Sequence, residues 1–214
     1  MAKTNATLIW NIAELLRGPF QPNQYGDVIL PFTILRRLHC ILEPTKGAVI
    51  DEYEKAQAQK IDPAVVVKSK FKLPFFNTSQ WTFSKLAGDP DGVADNLMDY
   101  IARFSPNVRD VFDGFRLPEL IAELHKSGRL YLIVKEFAAV GLHPDVVSGT
   151  DMGYIFEELI RKFAESNNAA AGDHFTPREV IKLMVNLLFH SDGDGLTKPQ
   201  EHAHRQWLEL DRLL

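Results

Sequence analysis

The sequence predicts a mainly α-helical protein, and three observations carry that prediction. Apolar residues recur at helical spacing through most of the chain. Glycine and proline breakers fall between the apolar stripes rather than within them, with one exception. Near residue 176 a capping pattern of residues announces a helix start. The 214 residues suit one large domain, or one complete domain and part of another.

The elements follow in order. Leu8, Ile12, Leu15 and Leu16 make one stripe on a first helix, ended by Gly18-Pro19. A second helix is expected over Tyr25 to Leu42, stopped by Pro44. Pro31 lies inside it and is expected either to kink or to split it, because proline lacks the N–H and crowds the preceding turn. Residues 51–63 are polar and rich in Ala, Lys and Gln. From Phe71 to Pro90, breakers alternate with Phe75, Phe76, Trp81 and Phe83, which reads as a loop-rich segment pinned by large side chains. Helical patterns resume over Val93–Phe104, Leu117–Lys126, Leu130–Val140 and Gly153–Ala164. Between the last two, His143 to Thr150 holds Pro144, Ser148 and Gly149, a candidate domain boundary.

Composition narrows the class. Hydrophobic residues are 45% and charged residues 24%, ordinary for a globular domain able to bury a core without staples. Cys40 has no cysteine partner and sits in an apolar run with Leu38, Ile41 and Leu42, so a buried, inert thiol is expected. No apolar segment approaches the ~20 residues of a membrane span, and no signal-peptide core opens the chain, so a cytoplasmic location without membrane contact is expected. A net charge of −4 argues against a free-standing DNA binder, since phosphate neutralisation needs basic surface. Arg36-Arg37 and Lys68, Lys70 and Lys72 are candidates for phosphate contact, but solvated charges are the expectation.

The segment with the most chemical content runs from Ser166 to Glu179. Its first half is small and polar, which predicts a mobile loop. Its second half is a helix start, with Thr176 as N-cap, Pro177 at the first helical position and Glu179 closing a capping box. A helix N-terminus offers free N–H groups and a positive dipole end to an anion. The alternative is a well-capped helix with no ligand.

Three blocks carry a family resemblance. Gly172-Asp173-His174-Phe175-Thr176-Pro177-Arg178-Glu179-Val180 resembles a segment of the modification subunits of type I restriction–modification systems. Trp10-Asn11-Ile12-Ala13-Glu14-Leu15-Leu16-Arg17-Gly18, with Tyr25 to Pro31 and Leu35 to Leu38, looks like the opening of that family's helical domain. Asp151-Met152-Gly153-Tyr154-Ile155-Phe156-Glu157-Glu158-Leu159-Ile160 looks like a further helix of the same family. The resemblance implies an all-α N-terminal domain over 1–147. The incomplete start of a Rossmann-like S-adenosylmethionine-dependent methyltransferase domain would follow over 148–214, its tail divergent from about 200. It implies adenine-N6 methylation of DNA, with Asp173, His174, Phe175, Thr176, Pro177 and Arg178 contacting S-adenosylmethionine. It also implies specificity, restriction and other modification subunits as partners, with duplex DNA held in the assembly.

The departures matter too. The family's glycine-rich D-P-x-x-G-[ST]-G loop and its N-P-P-[FY] catalytic motif do not occur in these residues, so no catalytic residue is assigned. The segment Gln200 to Trp207 no longer resembles the family; a shifted reading frame and a divergent C-terminus both remain open. A non-enzymatic helical assembly module that binds other subunits is the alternative function. His190, Asp192, His202 and His204 match no zinc spacing, and Asp192-Gly193-Asp194-Gly195 lacks the closing glutamate of a calcium loop, so no metal site is expected.

Overall fold

Residues 10–166 and 178–188 are described in the structure, a computed structural model, with side chains of the latter segment given only at 180, 181 and 183–187. The chain divides into two compact units, residues 1–169 and 170–214. The first unit holds ten helices among its described residues: α1 (residues 10–16), α2 (Tyr25–Leu42), α3 (Lys46–Ala58), α4 (Pro63–Phe71), α5 (Phe83–Ala87), α6 (Val93–Ala102), α7 (Pro106–Gly114), α8 (Leu117–Lys126), α9 (Leu130–Ala139) and α10 (Gly149–Ser166). In the second unit, α11 (Arg178–Leu188) is described. Only two isolated backbone bridges occur among the described residues, so the mainly α expectation holds.

The main core is built around α2. Val28, Ile29, Phe32 and Leu35 are fully buried there, packed with Ile133, Val134 and Phe137 of α9 and Ile155 and Leu159 of α10. Phe32 and Phe137 stack with ring centroids 5.7 Å apart. Burying each such side chain contributes roughly 1.5–3 kcal/mol. Pro31 does not split α2: the helix runs unbroken from Tyr25 to Leu42 with Pro31 buried inside it. The hydrophobic face on either side of Pro31 offsets the lost backbone bond, which costs about 3 kcal/mol in an isolated helix. Cys40 is buried and unpaired.

Helices α8, α9 and α10 match the apolar stripes read from sequence, and α6 ends two residues before Phe104. Four others, α3, α4, α5 and α7, arise where no stripe stands out. α3 occupies much of the polar stretch, burying only Val49, Ile50 and Ala56. α4 starts with Asp62 as N-cap, accepting from the Ala64 N–H at 2.9 Å, and Pro63 at the first position. Together α3 and α4 form a hairpin around a small core of its own, Val49, Val67 and Phe76, beside which Tyr53 and Phe71 pack. α7 buries Val108 and Phe112 and leaves Val111 half-exposed.

Within the segment expected to be loop-rich, Phe71 to Pro90, residues Phe83–Ala87 form α5, and the loop 72–82 before it is held by polar groups as well as by aromatics. Asn77 is buried; its Nδ2 donates to the Tyr100 carbonyl at 2.8 Å and its Oδ1 accepts from the Ser79 N–H at 2.9 Å. Backbone bonds Ser105 N–H to Phe76 O and Thr78 N–H to Arg103 O tie the same loop to the end of α6. These bonds satisfy backbone that a loop under aromatic side chains would otherwise bury unpaired.

Candidate functional site

The chemistry expected from sequence centres on the segment that follows α10, and α10 itself is held firmly. Its start is fixed by Ser148: the Asp151 N–H donates to Ser148 Oγ at 3.1 Å, and that hydroxyl donates to Asp151 Oδ2 at 2.8 Å. A serine cap with an acid three residues on satisfies the first free N–H groups and complements the helix dipole. Met152, Ile155, Leu159 and Phe163 then form one buried stripe at helical spacing. Phe163 lies against Trp10, with ring centroids 5.4 Å apart, while Lys162 sits 5.1 Å over the Trp10 ring. Gly26 makes room for Phe163: a Cβ built there would meet the ring at 3.3 Å. On the outer side Arg161 pairs with Glu158 one turn back.

The connection into α10 is held by two arginines of α2. Arg36 Nε donates to the Val140 carbonyl at 2.8 Å and its Nη2 to the Ala138 carbonyl at 3.1 Å. Arg37 Nη1 donates to the carbonyls of Leu142 and Val147, the latter at 2.7 Å. The expectation that Arg36-Arg37 are solvated or phosphate-touching charges is therefore corrected. Arg36 is 9% exposed, and both guanidiniums serve backbone carbonyls of 138–147 that helix α9 and the turn after it leave without partners. Lys68, Lys70 and Lys72 are exposed as expected, with Lys70 paired to Glu52 at 2.6 Å.

A buried polar group that sequence reading did not flag lies between α2 and α6. His39 is 1% exposed, and its Nδ1 shares a hydrogen bond of 2.9 Å with the Tyr100 hydroxyl. Its Nε2 has no hydrogen-bond partner; the nearest acid, Glu43, stands 3.8 Å away and is half-exposed. Burial, then the charges of Arg36 and Lys46, pull the His39 pKa down to about 3. The ring is therefore neutral at pH 7. Burial above all pushes the Tyr100 phenol well above its usual range. Lone histidine and tyrosine residues in apolar stripes give no sequence signal for this pairing, which joins positions 61 apart in the chain.

Of the expected cofactor residues, Asp173, His174, Phe175, Thr176 and Pro177 lie outside the described residues, as does the side chain of Arg178, whose backbone opens α11. His190, Asp192, His202 and His204 lie outside them too, as does the loop expected before the helix. Among the described residues no cluster of three or more metal-ligating side chains occurs. α11 carries Val180, Leu183, Met184 and Leu187 at i, i+3, i+4 and i+7, each at least 43% exposed within the described residues.

A helical domain whose last packed helix leads into a further segment is the class that this geometry defines. Comparison with known proteins makes it specific. Residues 6–137 match the model of the HsdM N-terminal domain, and residues 147–202 match that of the N-6 DNA methylases. The chain belongs to the family of type I restriction–modification methylase subunits, with the HsdM N-terminal domain followed by the start of an N-6 DNA methylase domain. It is similar to the type I restriction enzyme MjaIX methylase subunit of Methanocaldococcus jannaschii, with 23% identity over 198 residues covering 84% of this chain and 34% of that protein. The chain thus spans about a third of the length of this curated relative. No helix among the described residues is long and apolar enough to cross a membrane.

Proposed function

We propose that this chain supplies the N-terminal part of a modification subunit that transfers a methyl group from S-adenosylmethionine to adenine N6 in DNA. The observation that carries this reading is the order of the two family matches, helical domain first and N-6 DNA methylase second, across nearly the whole chain. The packing of α10 into the helical core supports it. The second match begins at residue 147, so the methylase region would start on a rigid support rather than on a free linker.

In this reading the domains are 1–147 and 148–214, and Asp173, His174, Phe175, Thr176, Pro177 and Arg178 contact the cofactor. Thr176 would cap a helix whose free N–H groups would face the carboxylate of S-adenosylmethionine, an attraction of roughly 0.3–1 kcal/mol when exposed. That is small beside the ~4 kcal/mol of a millimolar complex. The adenosine half needs the glycine-rich loop, and methyl transfer needs an N-P-P-[FY] pocket for an extruded base. These 214 residues contain neither, so by themselves they do not transfer methyl groups. Specificity and restriction subunits, other modification subunits and duplex DNA are the partners in the assembled, cytoplasmic complex.

The test is label transfer from S-adenosylmethionine to duplex DNA. The 214-residue chain is expected to give none above a protein-free control. The same residues continued through a methylase core, with a specificity subunit, are expected to label adenine N6. Label on cytosine, or transfer by the 214 residues alone, would overturn the reading.

A further inference from the structure

Two exposed patches of the helical domain carry opposite charge at matching spacing. The first is a groove of about 370 Å³ between the start of α2 and the α7–α8 turn, whose lining includes Asp27, Phe115, Arg116, Glu119, Leu120 and Glu123. Phe115 is 38% exposed, and Val111, one turn before it, is 47% exposed. Three carboxylates stand there with one guanidinium, and among the described residues none of the four is in an ion pair. Glu119 and Glu123 follow each other at i and i+4 on α8, a like-charge spacing that costs stability in the free chain.

The second patch is the outer face of α4. Val65, Lys68 and Lys72 follow i, i+3 and i+7, on a side away from Val67, which is buried in the hairpin's core. Val65 is 62% exposed and Ile61, just ahead of the helix, 51%. Lys70 pairs with Glu52, whereas Lys68 and Lys72 are exposed and in no ion pair among the described residues. They repeat the i, i+4 spacing of the two glutamates with the opposite sign. At the rise of a helix, each pair is set about 6 Å apart along its axis. In both patches the apolar side chains come first along the chain and the charges follow. Aligned in parallel, Ile61 and Val65 meet Val111 and Phe115 while the lysines meet the glutamates.

We propose that the α4 face of one chain seats in the α7–α8 groove of a second copy, with Lys68 and Lys72 on Glu119 and Glu123 and Val65 against Phe115. The inference rests on the reading above, in which other modification subunits are partners, and it names the surface. A twofold axis uses both patches of both copies and closes the pair. A net charge of −4 keeps copies apart at long range, so pairing depends on these local opposite charges and weakens with salt.

The experiment is sedimentation equilibrium of the 214-residue chain over the micromolar range, without cofactor or DNA. A dimer is expected, weakened severalfold at about 1 M salt. Reversing the groove, with Glu119→Lys and Glu123→Lys together, sets lysines against lysines. Reversing α4, with Lys68→Glu and Lys72→Glu together, sets glutamates against glutamates. Each is expected to weaken the dimer by more than about tenfold. An equimolar mixture of the two variants is expected to dimerise again, because each patch then meets its opposite. All four positions are exposed, so both variants should keep the helical circular-dichroism signal. The neutral pair Glu119→Gln and Glu123→Gln, which removes the repulsion within α8, should also weaken the dimer. A natural chain that stays monomeric throughout overturns the proposal. So does a dimer indifferent to both reversals, as one formed through the exposed face of α11 would be, or a mixture that stays monomeric. None of these outcomes touches the methyl-transfer reading, whose own test is label transfer.

Discussion

Acidifying the protein from pH 6.5 to pH 5 is expected to remove about 2 kcal/mol of stability through His39 alone. The imidazole is buried and neutral in the folded chain, with a pKa near 3, but titrates near 6.5 when unfolded. Between those values the unfolded state binds a proton that the folded state refuses. The stability contribution is complete above pH 6.5 and falls by about 1.4 kcal/mol for each pH unit below it. Glu43, 3.8 Å from Nε2, can close on the protonated ring and soften the lower part of that fall. The assay is urea denaturation of the natural chain and His39→Phe at several pH values. With a slope of about 2 kcal/mol per molar urea, the loss corresponds to a midpoint shift of about 1 M. His39→Phe leaves the Tyr100 hydroxyl without its partner and costs about 1–3 kcal/mol at pH 7. Every other titrating group is common to both proteins, so the stability difference between them reports on His39 and its neighbour Glu43. That difference should shrink by about 2 kcal/mol between pH 6.5 and pH 5. A difference that stays constant over this range refutes the reasoning.

Two further predictions concern the seating of α10. Arg37→Met keeps the aliphatic stem but leaves the carbonyls of Leu142 and Val147 unpaired; a loss of about 2–3 kcal/mol is expected, with faster amide exchange at 142–152 as the readout. Gly26→Val places methyl groups where a bare Cβ already meets the Phe163 ring at 3.3 Å. It should cost about 1–3 kcal/mol in thermal or urea unfolding, and Phe163→Leu in the same chain should recover part of it.

The sequence by itself determined the helical class, most of the helices that bury a broad apolar face, and the family. α2, α8, α9 and α10 were legible because a core-facing stripe repeats with the period of the helix, whatever it packs against. The same reading missed α3, α4, α5 and α7. The hairpin buries only a few residues per helix, and its helices stand by packing on each other and on Phe76, which no local pattern records. The motif Asp173 to Arg178 was legible as residue types in order.

Tertiary structure alone decided the rest. Arg36 and Arg37 read as surface charge because their four acceptors lie 102 to 110 residues away. Pro31 stays inside an unbroken α2 because the burial around it outweighs one lost backbone bond, a balance set by neighbours rather than by proline. The lowered affinity of His39 for a proton has the same origin. An isolated histidine has its ordinary pKa, and only the fold strips away its water and supplies the neighbouring cations.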